Sequence, residues 1–320
     1  MKWIGIPGTG IQASCIALGT AELGTKLNRD ESFRLLDAYA DYGGNLLDTA
    51  QVYANWIPGE ISLSEKTIGE WLHRKNGRER VILSTKGAHP DLKTMNISRL
   101  SRNEILKDLD DSLRHLRTDY IDLYWLHRDD PSLPVGEIME TLNEQIRAGK
   151  IVSAGCSNWL PGRIQEAQQY ATGQGLQAFS ASQIHWSMAV INSEVMTDPT
   201  IVSMDDAAYR FYLKAGMLVM AFSSQARGFF QKVADGGLER LPDWVKATYY
   251  NEATMGRLDR ARRLAKELNI SIGAVALGYL TSQPFAAVPI IGPQSMDQLA
   301  DSMWAADVVL TSEQIAYLEG

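Results

Sequence analysis

Four side chains that can move protons stand at or just beyond the ends of short apolar runs in this chain. The stretch "GGNLLDTAQVYANW" (43–56) ends one such run at Asp48 and sets Tyr53 five positions further on; Lys86 closes "VILSTKG" (81–87) and His127 closes "YIDLYWLH" (120–127). An uncoupled tyrosine titrates near about 10 and an uncoupled lysine near about 10.4, so neither exchanges protons well at neutral pH without a perturbing neighbour. A buried ammonium favours a nearby phenolate, and a carboxylate can hold that ammonium charged and in place. A histidine beside them can hydrogen-bond and orient a carbonyl. The set points to proton transfer at a carbonyl or alcohol oxygen.

Such residues meet only if the runs that carry them lie side by side. Eight β-rich runs alternate with amphipathic stretches, at 14–20, 45–50, 81–87, 120–127, 151–158, 178–186, 218–224 and 286–292. The helix after the third is marked by a capping box, Ser101 to Glu104, and by Leu106, Leu109, Leu113 and Leu116 on one face. Strands alternating with helices argue for a parallel sheet with helical crossovers, and eight such units without a Pro-, Gly- or Ser-rich linker argue for a single (β/α)8 TIM barrel of the α/β class, one domain over 1–320. In that fold the carboxyl ends of the strands converge on one site. Three segments lie outside the repeat. The Gly-rich "KWIGIPGTGIQAS" suggests a hairpin across the barrel floor, Gln225 to Met255 a long loop over the active face, and the segment from about Ser312 an extra C-terminal helix.

Composition excludes several classes of function. The chain has 320 residues, is 45% hydrophobic and 22% charged, and contains no 18-residue apolar run and no basic leader before an apolar one. The expectation is a cytoplasmic protein without a membrane segment. A net charge of -7 with scattered Lys and Arg offers no track for a phosphate backbone, so nucleic acid is not an expected partner. The two cysteines, Cys15 and Cys156, lie in strand-like runs and suit core packing in a reducing compartment. The remaining histidines, His73, His89, His115 and His185, are expected in helices or loops, and no metal site is expected.

Several separated pieces, in order along nearly the whole chain, resemble the aldo-keto reductases: "LGT" (18–20), "LLDTAQVY", "STKG", "DLYWLHRDD", "GCSN" (155–158), "SASQ" (180–183) and "PIIGPQSMDQLADS" (289–302). The resemblance implies a barrel enzyme with an Asp, Tyr, Lys, His tetrad and a nicotinamide cofactor acting on a small carbonyl or alcohol substrate. Tyr53 would be the general acid or base, Asp48 and Lys86 would tune it, and His127 would position the substrate. Ser157, Asn158 and Gln183 would grip the nicotinamide carboxamide, and Phe222, in "MAFSSQARGFF", would stack on its ring. Looser cofactor assignments fall on Thr20 under the nicotinamide ribose, on Ser223, Gln225 and Arg227 at the pyrophosphate and ribose, and on Ile291, Gly292, Gln294, Ser295, Gln298 and Asp301 after the last strand. No glycine fingerprint of the Rossmann type follows any strand, so the dinucleotide must be held in another way. NADP(H) is the family default. Where NADPH-preferring members carry Lys or Arg for the 2'-phosphate, this chain has Gln294, Ser295 and Gln298, which brings NAD(H) or dual use into play.

The substrate pocket is expected to draw on Trp56, His89, Arg128 and Trp159, near Trp125 and an insertion carrying Trp244, Tyr249 and Tyr250. Tryptophan faces with interspersed polar groups suit a sugar or other polyhydroxylated carbonyl compound, placed ahead of the apolar aldehydes and ketones that such aromatics also accommodate. Two alternatives remain open: a Schiff-base lyase using Lys86, and a cofactor-sensing scaffold subunit like the potassium-channel β subunits.

Overall fold

The computed structural model describes residues 1–320. An antiparallel hairpin, β1 (Trp3–Gly5) and β2 (Gln12–Ser14), precedes eight parallel strands. These are β3 (Ala17–Gly19), β4 (Leu46–Asp48), β5 (Ile82–Gly87), β6 (Ile121–Leu126), β7 (Ile151–Ser157), β8 (Ala181–His185), β9 (Leu218–Phe222) and β10 (Ala287–Ile291). They pair in chain order and β10 closes on β3, so the expected (β/α)8 barrel with an N-terminal hairpin is what forms. Helices α1 (Arg29–Asp41), α2 (Leu63–Lys75), α3 (Arg102–Leu116), α4 (Val135–Arg147), α5 (Pro161–Gly173) and α6 (Asp206–Ala215) follow the first six barrel strands in turn. Between β9 and β10 lie α7 (Phe229–Gly236), α8 (Asp243–Tyr249), α9 (Glu252–Leu268) and α10 (Ile272–Thr281). After β10 come α11 (Met296–Trp304) and α12 (Ser312–Glu319).

The period-two alternation of each strand divides the core into two layers. Leu46, Ile82, Leu123, Trp125, Ala181, Leu218, Met220 and Val288 fill the interior, where Ile6 and Ala13 of the hairpin join them and plug one end. Leu47, Leu83, Tyr124, Leu126, Ile184 and Val219 point outward into the larger core shared with the helices. Gly155 is required by this packing, because a Cβ there would stand 2.4 Å from the Trp125 ring. The same parity, continued toward the carboxyl ends, aims Asp48, Ser84, Lys86, His127, Ser157, Gln183, His185 and Phe222 into the barrel mouth.

Three local expectations change. Ser101 does cap α3, but the Glu104 carboxylate accepts from the Ser101 hydroxyl and pairs with Arg99 instead of returning to the cap backbone. The buried stripe of α3 runs through Ile105, Leu109, Ser112 and Leu116, leaving Leu106 and Leu113 only partly covered. The segment from Gln225 to Met255 is largely helical and not a loop. Phe229, Phe230, Val233, Val245 and Tyr249 recur at helical spacing and are buried, while Gly236, Gly237 and Pro242 separate the short helices. The C-terminal helix starts at Ser312 as expected, under a capping box from Thr311, and buries Leu318.

Candidate active site

The centre of the barrel mouth is Lys86. Its Nζ donates to Asp48 Oδ2 at 2.6 Å, to the Thr49 carbonyl at 2.7 Å and to the Tyr53 hydroxyl at 3.3 Å. Lys86 and Asp48 are 1% and 2% exposed, so their charges face each other away from water. Burial opposes the ammonium, but Asp48 and Tyr53 together raise its pKa above the ordinary lysine value. Tyr53 is carried by a turn after β4, tied to the next strand by Gln51 N–H donating to the Lys86 carbonyl at 2.9 Å and turned by buried Ala54 at φ 74°. Tyr53 is only partly buried and keeps its hydroxyl end at the mouth.

Asp48 is anchored from below as well. Its Oδ1 accepts from the Ser84 hydroxyl at 3.0 Å and from Gln183 Nε2 at 2.9 Å, and Ser84 in turn accepts from Trp125 Nε1 at 2.5 Å. These donors fix the position of the Asp48 side chain. Ser84 and Trp125 were missed as supporting residues, although they sit two positions before Lys86 and His127 on the same strand face, which the period-two pattern makes visible.

His127 lies across the site, its ring 6.2 Å from that of Tyr53 and 4.6 Å, edge-on, from that of His89. Burial, then the nearby His89 and Arg128, hold its pKa well below the usual histidine value, so the ring is neutral at physiological pH. Its Nδ1 is buried without a partner. His89 is likewise pushed down by burial, to about 4.

The residues expected to hold a nicotinamide carboxamide are brought together. Ser157 and Gln183 are register partners on β7 and β8, and Asn158 follows at φ 61°. Asn158 is already engaged, Oδ1 accepting from Val202 N–H at 3.1 Å and Nδ2 donating to the His127 carbonyl at 3.3 Å. Phe222 ends β9, half-buried. Beyond it, Ser223, Ala226, Arg227 and Gly228 all take positive φ in a compact turn, closed by Ala226 N–H donating to the Ser223 carbonyl and Gly228 N–H to the Gln225 carbonyl, both at 2.8 Å. Gln225 lies beside Ser302, and Arg227 over the Trp244 ring at 5.7 Å. Ser295 caps α11, its hydroxyl accepting from Gln298 N–H at 3.2 Å, while Gln298 accepts from Gln294 N–H at 2.8 Å. Ile291 is buried, Gly292 exposed, and Asp301 accepts from Gln231 at 3.3 Å. An exposed helix N-terminus, a positive-φ turn and a half-open aromatic face make this rim fit for a dinucleotide.

Four expectations need correction. Thr20 is fully buried and donates to the Asp48 carbonyl at 2.9 Å, so it braces the strand end instead of presenting a surface to a ribose. Trp159 is 0% exposed, its Nε1 donating to the Arg128 carbonyl at 3.1 Å and its ring packed on Phe179, so it offers no face to a substrate. The Arg128 guanidinium is occupied by Thr200, Asp198 and the His127 carbonyl, and fastens the loop at 198–200. His185, expected in a helix or loop, ends β8 and points into the mouth. Trp56 is 51% exposed, and its ring is 6.4 Å from that of Tyr53.

A closed parallel barrel with a buried carboxylate and ammonium and a half-buried phenol at its strand ends is an enzyme scaffold. Comparison with known proteins identifies its kind: the profile described as the Aldo/keto reductase family matches residues 15–320, and the chain belongs to that family. It is 31% identical to aldo-keto reductase ausK of Aspergillus calidoustus, across 98% of this chain and 80% of that one. It is 27% identical to an aryl-alcohol dehydrogenase [NADP(+)] of Phanerodontia chrysosporium, across 98% and 83%. A crystal structure of a thermostable aldo-keto reductase bound to the inhibitor epalrestat superposes with a TM-score of 0.76 at 22% identity, covering 100% of this chain and 99% of the other, and shares the fold. The protein is therefore an NAD(P)-dependent oxidoreductase of carbonyl and alcohol groups. No helix in it is long and apolar enough to cross a membrane.

Proposed function

We propose that the protein interconverts an aromatic or other apolar aldehyde or ketone with its alcohol, with Tyr53 as the general acid or base, and that residues 1–320 act as one catalytic domain. The observation that carries this reading is the Lys86 ammonium bridging Asp48 and the Tyr53 hydroxyl. In reduction the Tyr53 phenol gives its proton to the carbonyl oxygen, and the phenolate left behind faces the Lys86 ammonium. Asp48, held by Ser84 and Gln183, keeps that ammonium charged and fixed. His127, being neutral, can donate one hydrogen bond to the same oxygen without repelling Lys86. A bound nicotinamide dinucleotide supplies the hydride, or accepts it in the reverse direction. Ser157, Asn158 and Gln183 would hold its carboxamide, Phe222 its ring, and the turn from Ser223 to Gly228 its phosphates.

The Schiff-base alternative needs a lysine that sheds its proton readily, and the raised pKa of Lys86 counts against it. For the substrate, burial of Trp125 and Trp159 removes two of the tryptophan faces on which the sugar reading drew. Exposed Trp56 beside Tyr53, together with relatives named aryl-alcohol dehydrogenases, favours a flat apolar substrate. For the cofactor, the α11 N-terminus offers only neutral donors, Gln294, Ser295 and Gln298, which favours use of both NADPH and NADH. The test is a titration with each reduced nucleotide followed by tryptophan fluorescence, then turnover of a panel of benzaldehydes against aldoses. Binding of either nucleotide with benzaldehyde turnover is the expected result; aldose turnover alone would overturn the substrate reading, and binding of neither nucleotide the whole.

A further inference from the structure

Phe222 lies parallel to the imidazole of His185, with ring centroids 5.3 Å apart and planes 7° from parallel. His185 is 4% exposed, and its Nε2 is hydrogen-bonded at 2.8 Å to the hydroxyl of Tyr249, the last residue of α8. Tyr249 is 2% exposed, and its ring meets Phe229 edge-on at 6.3 Å. A second observation marks the pair: His185 Nδ1 is buried with no partner. A wholly apolar contact would avoid that desolvation cost, so packing alone does not explain a polar pair here. What the pair does supply is direction, since a ring held through one nitrogen cannot rotate freely, and the ring stacked on it inherits the plane.

We propose that Tyr249 and His185 are positioning residues that fix the plane of Phe222, so that the helical insertion between β9 and β10 sets how tightly the barrel mouth holds the nicotinamide ring. The inference rests on the cofactor reading above. The imidazole lies beside Phe222 on one side, and the proposal puts the nicotinamide on the other. His185 has its pKa lowered to about 4, by burial and then by Arg227, so it stays uncharged at physiological pH. Arg227 is the charged group that faces it, and the phenol is Tyr249.

The experiment compares two ligands on the full chain: the reduced dinucleotide, and ADP-ribose or its 2'-phosphate, which lack the nicotinamide. Tyr249→Phe, which keeps the ring and removes the hydroxyl, should raise the dinucleotide Kd by about three- to tenfold and leave the ADP-ribose Kd unchanged. His185→Phe, which keeps a stacked ring without the hydrogen bond, should show the same selective loss and guards against a folding failure in the first variant. An equal loss for both ligands would mean a merely structural role, and unchanged affinity for both would mean no coupling; either overturns the proposal while leaving the cofactor reading intact. A wild-type protein that binds ADP-ribose and the dinucleotide equally would also overturn it, and one that binds neither brings down the cofactor reading first.

Discussion

The two sides of the barrel mouth are built on different physics. On the side of β4, β5 and β6, the buried ion pair of Asp48 and Lys86 is joined by the partly buried Tyr53 hydroxyl, and nearly every polar atom of the three has a short partner. On the side of β8 and β9, His185, Phe222 and Tyr249 form an aromatic stack fixed by one hydrogen bond. Burial strengthens the electrostatics of the first side and makes each of its groups expensive to lose. The second side depends on shape, and each of its contacts is small. A proton needs a fixed local field, whereas a planar ring needs a flat surface, and the mouth separates the two demands on opposite strands.

The sharpest test of this division is Tyr53→Phe. It should lower turnover by about 10²- to 10⁴-fold, the usual worth of a positioned acid, while the dinucleotide Kd stays near wild type. A variant keeping more than about a tenth of the turnover would remove Tyr53 from its role. Asp48→Asn should follow, because it leaves the buried Lys86 ammonium without an anion at a cost of about 3 to 5 kcal/mol. Chemical denaturation measures this, and Tyr249→Phe provides the contrast at about 1 kcal/mol. Equal losses from the two substitutions would erase the distinction between the sides.

Acid should act on both sides alike. His89 and His185 have pKa values lowered from 6.5 to about 4, and His127 is also held well below 6.5. A depressed folded pKa means that the unfolded chain binds the extra protons. The stability is thus fully present above about pH 6.5 and is lost as pH falls toward 4, by about 3 kcal/mol per histidine at the lower end. The melting temperature should fall across that window, and His89→Gln or His185→Gln should flatten the dependence; an unchanged slope in both would contradict the burial argument. The smallest expected effect lies outside both regions. Gln294→Arg should shift the NADPH to NADH affinity ratio by about tenfold toward NADPH through one charge-assisted contact, and an unaltered ratio would move the phosphate pocket away from the α11 N-terminus.

Much of this site was legible in the sequence because β-strand parity is local. Once eight runs alternate with helices, the residues two apart at each carboxyl end must share the barrel mouth, which brings Asp48, Lys86, His127, Gln183 and Phe222 together. The same rule implicates Ser84, Trp125 and His185. Residues beyond the strand ends were harder to assign. Trp159 and Arg128 sit beside the site in sequence but turn into the wall, because their partners, Phe179 and the loop at 198–200, come from other elements. The insertion reads as a loop from its glycines and Pro242, yet its buried aromatics make it helical once the barrel supplies a surface for them.

By itself, then, the sequence determined the barrel, its hairpin and final helix, and the identity of the four groups at its mouth, since alternation and strand-end chemistry are written within a few residues. Tertiary structure alone decided which atoms touch. Gln183 reaches Asp48 across 135 positions of chain and Tyr249 reaches His185 across 64, and no local pattern encodes a hydrogen bond whose two ends are brought together only by closure of the barrel.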